Sequence, residues 1–137
     1  MLFRSVVLSL IFVGVEIRDG NREARAATTQ AALDAEMALQ ATLAEHADVW
    51  HQVVLNGDMS DEVAVRRGII LFNMAMTLED NRYQAGNAGY LQYSQGTVVQ
   101  LIALPFFSTW PGSPGASGRS TDFLNFVDDL RDQKSSE

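Results

Sequence analysis

The sequence lacks cysteine and contains few of the residues that interrupt helices. Without cysteine, its 137 residues cannot form disulfide bonds, thiolate metal sites or a cysteine nucleophile. The first of the three prolines is Pro105, and only Gly14 and Gly20 precede Gly57, so the N-terminal part favours long helices. The 47% hydrophobic content is sufficient for a core and excludes a wholly disordered chain. The length fits one domain.

Positive charge is also scarce. Ten lysines and arginines stand against seventeen acidic residues, which gives a net charge of −7. The imbalance lies in residues 27–137, because residues 1–26 carry four arginines and three acidic residues. A protein that binds nucleic acid needs a basic stripe for the phosphates. The acidic body therefore argues against a nucleic-acid partner.

The N-terminal run Leu2–Ile17 is the longest apolar stretch, and it allows three interpretations. Apolar residues after Arg4, together with the small residues of Ala24–Ala26, are typical of a secretory signal, which would release a periplasmic protein beginning at Ala27. A buried core helix is the second interpretation. The third, which we adopt, is an uncleaved membrane anchor with basic residues at both ends.

The distribution of basic residues around this predicted anchor gives an orientation. The positive-inside rule compares the arginines on the two sides of a span. More of them follow the apolar run than precede it, so we expect an inner-membrane protein whose body faces the cytoplasm. The flanking basic residues are Arg4, Arg18, Arg22 and Arg25.

The remaining chain predicts an all-α fold, a small bundle of about four helices on the anchor. We divide it into an anchor at 1–17, a charged and then amphipathic helix at 18–56, two core helices at 57–104, and a loop, short helix and loose tail at 105–137. Apolar residues in the first three helical regions recur at steps of three and four, which is the period of a helix face. Asn56 and Gly57 suit a helix end, Asp58 or Ser60 a helix start, and Ser120 or Thr121 the start of the last helix.

Several short motifs resemble a widespread group of bacterial, membrane-anchored small helical proteins with no assigned activity. They are I-R-x-x-N-R-x-A-R-A at Ile17–Ala26, Trp50 followed by Gly57, the segment Leu78–Gln84, and F-x-x-F-V-D at Phe123–Asp128. The resemblance covers most of the chain and implies a helical fold and a membrane location. The chain departs from the group at 112–118, where a Gly/Ser-rich loop replaces a basic, Trp-rich stretch.

No catalytic or metal-binding motif is present in the sequence. His46 and His51 are five residues apart, which on a helix turns them about 140° from each other, so they do not share a face. The loop 112–118 fails the spacing of a phosphate-binding loop, and no nucleophile elbow occurs. We therefore predict no cofactor, no metal and no catalytic residue.

Glu79 is the residue that most invites a functional interpretation. It continues the apolar seam of the second core helix, so the pattern places its carboxylate inward, where it must be paired, hydrogen-bonded or protonated. Arg82 lies one turn on, with Tyr83 and Gln84 beside it. This cluster of Glu79, Arg82, Tyr83 and Gln84 is either a structural clasp at a helix end or the polar part of a pocket.

These patterns support a functional hypothesis and a rival to it. The leading hypothesis is a non-enzymatic, membrane-tethered interaction module that docks a membrane complex or a second copy. Its candidate docking aromatics are Phe106, Phe107 and Trp110. The rival is a small-molecule-binding protein or an enzyme that uses an interhelical pocket at Glu79.

Overall fold

The computed structural model describes residues 2–112 and 118–136, and within them the side chains of residues 6–110 and 118–136. This part of the chain contains helices and no strand, which confirms the all-α class. The five α-helices are α1 (Leu2–Glu45), α2 (Ala47–Val49), α3 (Glu62–Asn87), α4 (Gly96–Ile102) and α5 (Thr121–Lys134). A π-helical segment (Trp50–Leu55) continues α2, and a 3-10 helix (Pro105–Gly112) follows α4.

Helix α1 is 44 residues long and joins the body only through its C-terminal half. Residues 6–27 are exposed on every side. The half-buried positions begin at Thr28 and continue to Leu43, where α1 packs against α3. Helix α1 runs through Gly20 without interruption and breaks at His46, whose ψ is 34°.

The predicted membrane anchor is not supported by this helix. Within the described residues, no helix has a stretch that is both long enough and apolar enough to cross a membrane. The physical reason is the length of the run 2–17, about 24 Å as a helix against a hydrocarbon core of about 30 Å, and its interruption by polar residues. The prediction of an inner-membrane protein with a cytoplasmic body is therefore wrong.

Helix α3 is the central element, and its start differs from the prediction. The N-cap is Asp61, whose side chain accepts hydrogen bonds from the backbone N–H of Val63 at 2.9 Å and Ala64 at 3.2 Å. Asp58 instead accepts from the Ser60 N–H and closes the preceding turn. The buried face of α3 carries Ala64, Gly68, Leu71, Phe72, Ala75, Met76, Leu78, Glu79 and Asp80.

The second of the two core helices predicted at 57–104 is short, because regular helix after α3 covers only Gly96–Ile102. The described residues also contain more helical segments than the predicted number of about four. Pro105 has no N–H to donate, and the 3-10 helix begins there. Helix α5 closes the core with Phe123, Val127 and Leu130, and it starts at the predicted cap Ser120, whose hydroxyl accepts from the Phe123 N–H.

Candidate functional site

Glu79 occupies the inner face of α3, as its place on the apolar seam indicates. It is 1% exposed, which makes it one of two buried acidic residues among the described positions. Its Oε1 lies 3.5 Å from Nη1 of Arg82, one turn further along the helix. Its Oε2 accepts a hydrogen bond of 3.3 Å from the hydroxyl of Tyr93, in the segment between α3 and α4. The carboxylate thus has one partner on its own helix and one outside it.

Burial and charge act in opposite directions on this carboxyl group. Loss of solvation is the largest effect and raises the pKa of Glu79 above its ordinary value, and the nearby carboxylate of Glu36 adds to it. The charge of Arg82 and the hydrogen bond from Tyr93 oppose the rise. Burial, together with the charge of Glu79 and the hydrogen bond to it, also raises the pKa of Tyr93. Tyr93 therefore stays protonated and donates a hydrogen bond to the carboxylate of Glu79.

A half-open groove of about 220 Å³ leads to Glu79 between α1, α3 and α4. We call it the Glu79 groove. Its apolar wall includes Leu39, Leu43, Trp50 and Leu101. Its polar residues are Glu36, Gln40, Glu79, Arg82 and Thr97. The groove therefore combines an apolar surface with a small group of charged side chains, which is typical of small-molecule sites.

Arg82 connects the two carboxylates that line the groove. Its Nη1 lies 3.5 Å from Glu79 and 3.8 Å from Oε2 of Glu36 on α1. Both distances are long for charge-assisted hydrogen bonds, which are usually about 2.7–2.9 Å. One guanidinium is thus shared by two carboxylates, and the formal charges of Arg82, Glu79 and Glu36 sum to a negative value.

Tyr83 and Gln84 do not join Glu79. The ring of Tyr83 stacks on Phe126 with centroids 4.7 Å apart and makes an edge contact with Tyr93 at 5.6 Å. Gln84 donates to the hydroxyl of Ser120 at 2.7 Å. The predicted cluster of four is therefore split: Glu79 and Arg82 form the groove site, while Tyr83 and Gln84 hold α5 against α3.

The contact of Gln84 belongs to a second polar group that the sequence did not reveal. Asp80, which is 8% exposed, accepts hydrogen bonds from the backbone N–H of Ser120 at 3.0 Å and from its hydroxyl at 2.7 Å. The same hydroxyl accepts from Phe123 N–H at the start of α5. Asp80 therefore fixes the N-cap of α5 to the C-terminal half of α3. This arrangement is a structural clamp.

Asn73 forms a further polar contact about two turns before Asp80 on α3. Its side-chain oxygen accepts from the indole N–H of Trp110 at 3.0 Å, and its backbone carbonyl accepts from Arg119 at 2.7 Å. Burial lowers the pKa of Arg119, against the attraction of Asp80. Within the described part of the chain, the Nε of Arg119 is buried without a hydrogen-bond partner.

The candidate docking aromatics lie inside the body. Phe106, Phe107 and Trp110 are each at most 5% exposed. Their rings surround Phe72, with centroids at 5.3 Å for Phe106 and 6.1 Å for Trp110. They supply the core contact between the 3-10 helix and α3, so a partner cannot reach them without opening the core.

Three of the predicted flanking arginines and His51 lie at the surface, and His46 is half-buried. Arg18, Arg22 and Arg25 are exposed along α1, and the side chain of Arg4 is outside the described residues. His51 is exposed and its Nδ1 lies 3.3 Å from the amide nitrogen of Asn56. Across residues 2–112 and 118–136, no group of three histidine or acidic side chains is placed to hold a metal ion.

Tyr93 and Glu36 are the site residues that the sequence did not reveal. Both come from elements other than α3, so no helical spacing connects them to Glu79. One signal is Gly86, where a Cβ atom would lie 2.6 Å from Cβ of Tyr93. Only glycine permits this approach, and the approach brings the Tyr93 hydroxyl to the carboxylate.

Comparison with known proteins finds no matching family model, no similar curated protein and no similar solved structure. The resemblance to the membrane-anchored group accordingly stays a prediction.

Proposed function

We propose that the protein is a helical interaction module that assembles with a second copy of itself through the exposed part of α1. The observation that supports this proposal is the surface of residues 6–17. Its large apolar side chains are between 43% and 67% exposed, and none of them belongs to the core of the body, which extends from Val49 to Leu130. They are Val6, Val7, Leu8, Leu10, Ile11, Phe12, Val13, Val15 and Ile17.

A single helix with this surface is unfavourable in water. Residues 6–27 extend about 33 Å at about 1.5 Å per residue, and each of them is exposed. Most of the stability of helices in proteins comes from packing an apolar face. Contiguous apolar patches of this kind mark interaction sites. The exposed half of α1 therefore needs a partner surface.

The spacing along α1 favours another helix as that partner. Residues at alternating steps of four and three form one seam, the pattern of a coiled coil. Within it, Val6, Ser9, Leu10 and Val13 surround a hollow of about 250 Å³. In a coiled coil, each seam side chain enters a hole between four residues of the facing helix, at i, i+3, i+4 and i+7. The full seam is Val6, Leu10, Val13, Ile17, Gly20, Ala24 and Ala27.

A second copy supplies a matching helix. Its seam has the same apolar and small residues, and Gly20, Ala24 and Ala27 allow the two backbones to approach closely. In a parallel pair, Glu16 and Glu23 beside the seam face Asn21 and Thr28 of the other copy. In an antiparallel pair they would face each other, and their like charges would repel. We therefore propose a parallel pair.

Sedimentation of two matched variants tests this assembly. Leu10 lies on the seam and is 66% exposed, whereas Leu8 lies on the opposite side and is 67% exposed. We expect L10E to weaken dimerisation by at least about 10-fold, since burial of one leucine contributes roughly 1.5–3 kcal/mol. L8E should dimerise like the unaltered protein. A monomer at all concentrations, or equal effects of both variants, would contradict the proposal.

A further inference from the structure

The Glu79 groove has features that the proposed assembly does not use. It lies between the C-terminal half of α1 and the body, beyond the exposed seam of residues 6–27. Glu79 is buried at its wall, and Trp50 and Leu43 line its apolar side. A groove that holds a buried carboxylate next to an aromatic ring has the components of a ligand site.

We propose that this groove binds a small amphipathic cation, an ammonium ion that carries one aromatic ring or a short alkyl chain. The ammonium group would contact the carboxylates of Glu79 and Glu36 from the groove, beside Arg82, which contacts both only at 3.5 and 3.8 Å. The apolar part would pack against Leu39, Leu43 and Trp50.

The charge of the groove selects a cation. Its two carboxylates share one guanidinium, Arg82, at 3.5 and 3.8 Å. An ionised carboxylate can accept about four hydrogen bonds, and the described contacts give Glu79 one, the 3.3 Å bond from Tyr93. An ammonium group has three donors and one positive charge. It would balance the remaining charge and complete the hydrogen bonding of the buried carboxylate.

The volume of the groove limits the apolar part of the ligand. A closed cavity of about 150 Å³ in another protein holds benzene. The Glu79 groove, at about 220 Å³, therefore has space for one ring with a short substituent. Trp50 adds an aromatic face at the wall, which attracts cations as well as rings.

Three probes of similar shape separate charge from apolar contact. They are 2-phenylethylammonium, 2-phenylethanol and 3-phenylpropanoate, measured by NMR titration of the two tryptophan indole N–H signals. We expect only the ammonium probe to bind, with a Kd on the order of 1 mM. The Trp50 signal should shift, while the signal of Trp110, hydrogen-bonded to Asn73 in the core, should stay in place. Equal binding of the alcohol, or preference for the carboxylate, would overturn the proposal.

Variants locate the site. Glu79→Gln keeps the size of the side chain and should weaken binding of the ammonium probe about 10- to 100-fold, the range for loss of a hydrogen bond to a charged group. Glu36→Gln gives a second measurement that does not depend on the buried position and should weaken binding as well. Glu62→Gln, at an exposed surface pair with Arg66, is the control and should bind unchanged. Unchanged binding by the first two variants would refute the site.

Discussion

The side chain of Glu79 lies where burial opposes its charge and Arg82 favours it. Because burial is the larger effect, the pKa of Glu79 is raised in the folded protein. A raised carboxyl pKa means that the folded state binds a proton more tightly than the unfolded state. The resulting stabilisation is fully present below the unfolded pKa of the carboxyl and is lost as pH rises through the folded pKa.

Glu79→Gln tests this sign directly. We expect the variant to gain stability relative to the unaltered protein as pH rises from about 4 to about 8, because glutamine carries no charge to bury. Urea unfolding across this range gives the difference in the free energy of unfolding. Subtracting the two curves removes the contributions of the other titrating groups to the free energy of unfolding. One of these groups is Asp58, whose pKa is lowered. A difference that is constant with pH would contradict the assigned pKa direction.

Arg82→Met should act in the opposite direction from Glu79→Gln. It leaves the buried carboxylate with Tyr93 and removes the favourable charge. At pH 7 we expect a loss of about 1–3 kcal/mol in the free energy of unfolding, the range for a buried polar group that loses its partner. The loss should shrink as pH falls towards 4, because protonation of Glu79 removes the charge that Arg82 stabilises. Equal losses at both values would mean that Arg82 stabilises by packing.

The clamp at Asp80 should contribute to stability, and Asp80 does not line the Glu79 groove. Asp80→Ala removes the acceptor for the Ser120 N–H and hydroxyl. We expect a loss of about 1–3 kcal/mol, measured by urea unfolding. Asp129→Ala, on the exposed side of α5, is the matched control and should change stability by at most about 0.5 kcal/mol. Binding of the ammonium probe should be the same in both variants.

At the scale of elements, the contact between α3 and the π-helical segment depends on Gly68. A Cβ atom at this position would lie 2.7 Å from Cγ1 and 3.1 Å from Cβ of Val53, which is fully buried. Alanine favours a helix interior over glycine by about 1 kcal/mol. Overpacking of a core costs about 1–3 kcal/mol. Because Val53 is β-branched and has no free space, the second effect is the larger.

Gly68→Ala should therefore destabilise the protein by up to about 2 kcal/mol. Gly14→Ala is the control, because Gly14 is not on the seam and a Cβ atom there meets nothing within 4 Å. It should increase the helicity of α1 without lowering the stability of the body, as circular dichroism and thermal unfolding would show. A stabilising Gly68→Ala would indicate that the π-helical segment moves away at little cost.

Local patterns predicted those elements whose ends are decided by neighbouring residues. The start of α5 at Ser120 and its buried face follow from a cap and a helical repeat, so the sequence was sufficient there. The π-helical segment and the short α4 depend on packing against α3 and on Pro105. The same contrast holds in the groove: Glu79 and Arg82 are one turn apart, whereas Tyr93 and Glu36 reach the site only through the fold.

At the scale of the whole molecule, the body and the exposed half of α1 have different sources of stability. The buried core begins at Val49 and ends at Leu130, and its half-buried neighbours begin at Leu39. The apolar residues of 6–17 belong neither to this core nor to its half-buried neighbours. In the proposed assembly, the body therefore folds on its own core, while the N-terminal half of α1 is stabilised by the second copy.

Cysteine substitution tests the parallel arrangement of the two copies, since the chain has no cysteine of its own. Val13 and Val15 are 49% and 52% exposed, but only Val13 lies on the seam. In a parallel pair, equivalent seam positions face each other at the distance of about 5.5–6 Å between Cα atoms that a disulfide requires. Mild oxidation should therefore crosslink V13C into a dimer and leave V15C largely monomeric. An antiparallel pair would reduce crosslinking of V13C with itself, and it would place Glu16 and Glu23 of the two copies side by side. Equal crosslinking of both variants would show that α1 associates without the seam.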